Sequence, residues 1–213
     1  MGVWMPYVVR QGDYLTKLAH RFGFDEDEVW NDSRNADLRK IRQDPQVLCP
    51  CDILYIPEPA DPNWVDLKTG TTNSFTSSEP TVSVSLVMMG DSGPLANTDC
   101  IVLDLDEPMV TTTKGDGSLV LELPVSTTKV TVVMPTLGVA REIWVGHLDP
   151  ENEKSGMAGR LRNLGYMDAS VEAADPDAAL SAALRAFQAD KGLNVTGEID
   201  DSTIAKVSSA HGS

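Results

Sequence analysis

Apolar positions change their spacing twice along the chain, and each change marks a new kind of element. From Tyr7 to Pro57, short strand and helix signals alternate. Tyr7, Val8 and Val9 read as a strand and Gln11-Gly12-Asp13 as a turn. Leu15, Leu18, Ala19 and Phe22 then fall at i, i+3, i+4 and i+7, one apolar face of a helix. Asp13 is the expected cap at its start and Gly23 the stop at its end. Asp25 opens a second helix that buries Val29 and Trp30. Residues 31–46 read as a polar loop with a further turn near Leu38 and Ile41. Ile53 to Ile56 form a returning strand that Pro57 stops.

Residues 59–79 show neither period and are rich in Pro, Ser, Thr and Asn, the composition of a linker. Trp64 and Phe75 stand out in it as candidate anchors on a neighbouring domain or a partner protein. From Pro80 the period becomes two. Val82, Val84, Leu86 and Met88 alternate with polar residues, as do Ile101, Leu103 and Leu105, then Leu119, Leu121 and Leu123, then Val130, Val132 and Met134. Gly/Asp-rich turns separate these runs, which predicts a small antiparallel β-sandwich over 80–146. Helical spacing returns in 147–213. Met157, Leu161 and Leu164 make one stripe ended by Gly165, and Leu180, Leu184 and Phe187 a second between Pro176 and Gly192. A third helix starts near Asp200 with Ile204 and Val207.

Each segment resembles a known module. Tyr7, Gly12-Asp13, Leu15, Leu18-Ala19, Phe22-Gly23, Asn31, Asp44-Pro45, Leu48, Pro50, Leu54 and Ile56-Pro57 resemble a LysM domain. That resemblance implies a βααβ fold over 1–58 and a groove for N-acetylglucosamine-containing glycans. It places the groove at Gly12, Asp13, Tyr14 and Leu15 on one side and Leu48, Cys49, Pro50, Cys51, Asp52 and Ile53 on the other. Tyr14 stands where the family has a small hydroxyl residue and Cys51 where it has a glycine, departures that bear on ligand contact rather than on fold. The order of strands and Gly-Asp turns around Gly90-Asp91-Ser92-Gly93-Pro94 and Lys114-Gly115-Asp116-Gly117 resembles transthyretin-like, carboxypeptidase-regulatory-like β-domains. Leu161-Arg162-Asn163-Leu164-Gly165-Tyr166, Ala186-Phe187-Gln188-Ala189-Asp190-Lys191-Gly192-Leu193 and Thr196-Gly197-Glu198-Ile199-Asp200 resemble the three-helix peptidoglycan-binding-like domain. The fold class expected is therefore multidomain α+β. The whole order is similar to accessory proteins of type VI secretion and related contractile injection systems. It implies a non-enzymatic adaptor docking to a spike, baseplate or tube protein; the alternative is a protein that binds peptidoglycan directly.

Charge and chemistry narrow the partners. The net charge of −15 repels nucleic-acid phosphates and anionic membranes, so neither is an expected partner. Asp104, Asp106 and Asp116 suggest calcium, but an Asp-Gly hairpin turn, as at Asp116-Gly117, is the commoner explanation. Three cysteines, Cys49, Cys51 and Cys100, form no disulfide framework, and no signal-type segment opens the chain. Both features predict folding in the cytosol, with delivery to the periplasm or a target cell by the injection apparatus. His20, His147 and His211 share no metal-ligand spacing, and no nucleophile motif or phosphate loop occurs. No catalytic set, cofactor or metal is expected.

Overall fold

The computed structural model of the chain describes residues 3–59, 68–73, 79–90, 92–167 and 175–212. It divides into two compact units, Met1–Ser83 with Leu121–Thr127, and Val84–Val120 with Thr128–Ser213. It is mixed α and β, with small antiparallel sheets. Among the described residues, no helix is long and apolar enough to cross a membrane.

The first unit begins with strand β1 (Trp4–Val8), which pairs antiparallel with β2 (Ile53–Pro57). Between them lie α1 (Leu15–Phe22), α2 (Glu26–Asn31), a 3-10 turn at Ser33–Asn35 and α3 (Ala36–Ile41). Side chains alternate across a strand, so one face of the ribbon points to the helices. Leu54 and Ile56 lie there, buried with Val9, Leu15, Leu18, Val29, Leu38 and Leu48. Each such side chain contributes about 1.5–3 kcal/mol relative to exposure. The opposite face pairs Val8 with Ile53 and Pro6 with Tyr55, and these four are exposed.

Three expectations need correction here. The first strand starts at Trp4, and Val9 lies beyond its end. The stretch read as a polar loop holds the 3-10 turn and α3, because Asn35 and Leu38 are buried and tie it to the core. Tyr14, not Asp13, is the N-cap residue of α1, and it makes no side-chain cap bond. The Asp13 carboxylate instead accepts from the Tyr7 hydroxyl at 2.7 Å and the Arg10 amide at 2.9 Å. Gly23 ends α1 in the left-handed region as expected, and Asp25 caps α2 by accepting from the Glu28 amide.

Strands β3 (Thr81–Val87), β4 (Met89–Gly90), β5 (Gly93–Pro94), β6 (Asp99–Leu103), β7 (Met109–Thr112), β8 (Ser118–Pro124), β9 (Lys129–Met134) and β10 (Val139–Trp144) follow. They form an antiparallel sheet in the order β10-β9-β6-β7 and the two-stranded pairs β3-β8 and β4-β5. The period-two reading places Val130, Val132 and Met134 of β9, and Leu119, Leu121 and Leu123 of β8, in the interior. In β6 the face is the opposite of that expected. Cys100 and Val102 are fully buried, while Leu103 is exposed. Asp104 accepts from the Thr131 hydroxyl at 2.7 Å, and Asp116 accepts from the Ser118 amide at 2.9 Å within its turn.

The second unit ends in three helices, α4 (Lys154–Asn163), α5 (Pro176–Asp190) and α6 (Asp201–His211), as the periodicity predicts. Asp175 and Asp200 cap α5 and α6 by accepting from the amides of Ala178 and Thr203. Met157, Leu161, Leu180, Ala183, Leu184, Phe187 and Val207 form the core between them.

Candidate functional site

A concave surface on the helical module lies beside a loop that a buried amide holds in place. Gln188 of α5 is fully buried. Its Oε1 accepts from the amides of Thr196 and Gly197, each at 2.9 Å. Its Nε2 donates to Glu198 O at 3.1 Å and to the hydroxyls of Thr196 and Thr203, each at 3.0 Å. One side chain thus satisfies its own polar atoms and fixes the loop that leads into α6. Gly197 (φ +74°) brings that loop against α5: a Cβ there would meet Ser181 Oγ and Arg185 Nε at 2.7 Å. The Ser181 hydroxyl donates to Gly197 O at 3.0 Å.

Beside this contact runs a groove of about 270 Å³. Leu180, Leu184 and Ile199 give it apolar walls, with Ser181 and Gly197 between them. Lys154, Asp177 and Glu198 supply its charge. Lys154 and Asp177 are paired at 2.9 Å, both well exposed.

The other side of α4 is a structural anchor. Arg160 is 2% exposed and its Nη1 donates to Asp149 O at 2.7 Å and Gly156 O at 3.1 Å, while its Nε has no partner. Burial lowers the guanidinium pKa, and the nearby carboxylates of Glu151 and Asp149 oppose that shift. His211 is the last residue of α6, with its Nε2 3.0 Å from Asn163 Nδ2. Burial, with Arg160 nearby, lowers its pKa. His147 follows β10 with its ring tilted against that of Trp144, centroids 5.1 Å apart, and His20 lies exposed on α1. Among the described residues no three His, Cys, Asp or Glu converge to hold a metal.

In the first unit, each predicted groove segment bonds to a residue just outside the other. Leu15 N donates to Pro45 O at 3.1 Å and Cys51 N to Val9 O at 3.0 Å. Gly12, Asp13, Tyr14, Leu15 and Leu48 are buried; Cys49, Pro50 and Asp52 are half-buried; Cys51 and Ile53 are exposed. The Tyr14 hydroxyl donates to Val125 O at 2.9 Å, and burial with the neighbouring Glu79 carboxylate pushes its pKa up to about 12. Asp52 is held by Arg42 at 2.8 and 3.1 Å and accepts from the Cys49 amide at 2.9 Å. Cys51 has φ 75°.

Sequence reading missed Arg42 and Asn35. Asn35 donates to Val29 O and Tyr55 O and accepts from Tyr55 N at 2.7 Å, closing the outer edge of β2. The only signal for either was a polar residue next to an isolated apolar one in a short turn. Trp64 and Phe75 lie outside the described residues.

Residues 158–207 match the family model described as Putative peptidoglycan binding domain. Comparisons with curated proteins and with solved structures give no match. The matched segment runs from within α4 to within α6 and contains Gln188, Gly197 and every groove residue except Lys154. The C-terminal helices are thus similar to a peptidoglycan-binding domain over the part of the chain that builds the groove.

Proposed function

We propose that the chain is a non-enzymatic protein that binds peptidoglycan through its C-terminal helical module. The observation that carries this reading is the family match over residues 158–207, on a segment whose loop is fixed by Gln188 beside an open groove. The test is sedimentation of the full-length chain with purified sacculi. Retention well above that of an unrelated acidic protein is expected, and no retention would sink the reading.

A second reading is supported at the other end of the chain. The order β1-α1-α2-α3-β2, a βααβ plan with one further short helix before the returning strand, supports a LysM-like head, and the antiparallel strands after residue 80 support a transthyretin-like middle. In that head Tyr14 is 4% exposed and its hydroxyl is used on Val125, whereas Val8, Ile53 and Tyr55 are exposed side by side. Such a head suits docking to protein better than holding a sugar. This is the adaptor reading, with a spike, baseplate or tube protein of a contractile injection apparatus as partner. Recovery of such a component with the tagged chain from native cells tests it, and its repeated absence counts against the adaptor role.

A further inference from the structure

We infer that the groove on the helical module takes the peptide stem of peptidoglycan rather than its sugar strand; this rests on the peptidoglycan reading above. The two parts of the polymer differ in chemistry. The sugar strand offers rings, hydroxyls and acetamides, which proteins meet with aromatic faces and neutral hydrogen-bonding groups. None of the groove's lining residues is aromatic, and the proton of its one hydroxyl, on Ser181, is committed to Gly197 O. The stem is a short peptide of small residues carrying free carboxylates and, on its diamino acid, an ammonium or amide. The groove offers one ammonium, Lys154, two carboxylates, Asp177 and Glu198, and an aliphatic wall of Leu180, Leu184 and Ile199 that suits alanyl methyls.

The charges are also available. Lys154 and Asp177 are 69% and 72% exposed, so their pairing is of the kind worth little by itself. A stem carboxylate can take Lys154, and a stem ammonium can take Asp177 or Glu198, with small loss from parting the pair. The volume of about 270 Å³ lies just under the range of about 300–1,000 Å³ that holds drug-sized ligands. That is room for a few small residues.

The test uses the full-length chain and three probes: intact sacculi, sugar strands freed of stems by an amidase, and the soluble tetrapeptide L-Ala–γ-D-Glu–meso-diaminopimelate–D-Ala. Binding to sacculi and to the tetrapeptide is expected, with none to stripped strands. Lys154→Glu should weaken the tetrapeptide at least tenfold while leaving the melting curve in place, since Lys154 is solvated. Equal retention of stripped strands and sacculi, or failure of the tetrapeptide to bind, would overturn the stem assignment and leave the peptidoglycan reading standing. Tetrapeptide affinity unchanged by Lys154→Glu would overturn the groove as its site. No retention on sacculi would overturn both readings.

Discussion

Cys51 holds a side chain in a backbone conformation that glycine adopts most easily. A left-handed φ costs a non-glycine residue roughly 1–2 kcal/mol, and the greater freedom of glycine in the unfolded chain returns roughly half of that. Cys51→Gly should therefore stabilise the protein by about 0.5–1 kcal/mol, read as a higher urea midpoint at unchanged slope. Tyr14 behaves in the opposite sense. Its hydroxyl is buried on Val125 O, and Tyr14→Phe should cost about 1 kcal/mol. Its folded pKa of about 12 lies above the ordinary 10.0, so the unfolded chain loses the proton first. The stability this represents is whole below pH 10 and is lost as pH rises through the folded value. The urea midpoint measured at pH 9 and pH 11 should fall further in the wild type than in Tyr14→Phe. An equal fall in both would show that Tyr14 is not the group responsible.

Among the elements, α4 shows how close approach overrides propensity. In an exposed helix interior Gly→Ala stabilises by about 1 kcal/mol. Gly156 sits inside α4, where a Cβ would lie 2.0 Å from Pro150 O and 2.4 Å from Asp149 O. Arg160 donates to Asp149 O from the same side, so the 149–150 turn cannot back away without losing that bond. Gly156→Ala should destabilise by roughly 3 kcal/mol or more, as forced overpacking does, read as a lower melting temperature of the helical module. A neutral or stabilising result would mean that the turn is not packed on α4. Nothing in the sequence around Gly156 shows this, because the partner is backbone and backbone leaves no residue signature. The same limit explains the other differences. The helices of the C-terminal module were legible because caps, apolar stripes and terminal glycines all agree on their bounds. α3 was not, since its six residues bury only Leu38. β7 and β10 were missed because one is four residues long and the other carries Arg141 and Glu142 at its centre. In β6, apolar residues at 100–103 occupy both faces, so alternation alone could not say that Cys100 and Val102 point inward. Gly197, Glu198 and Ile199 of the groove stand in the family motif and Leu180 and Leu184 in the apolar stripe of α5, but their meeting with Lys154 and Asp177 is a tertiary fact.

At the scale of the molecule, the apolar core of the N-terminal helices and that of the C-terminal helices share no residue. One gathers Leu15, Leu18, Leu54 and Ile56, the other Met157, Leu161, Leu184 and Phe187. Each can be weakened by itself. Phe187→Ala removes the largest fully buried side chain of the second core and should cost about 3–5 kcal/mol. Leu18→Ala should cost the first core about 2–5 kcal/mol. If these two cores unfold independently, calorimetry resolves a separate transition for each and each variant lowers only its own. Function then separates the cores as well. Phe187→Ala should lose retention on sacculi once the temperature passes its lowered transition, while Leu18→Ala keeps it at that temperature. The reason is that the groove is built on α5 and the loop that Gln188 holds, both within the second core's helices. The converse result, retention lost in Leu18→Ala and kept in Phe187→Ala, would move peptidoglycan binding to the first unit. A single transition lowered by both variants would mean that the cores fold as one cooperative body. Retention would then report global stability, and only a substitution on the groove's own surface, such as Lys154→Glu, would locate the site.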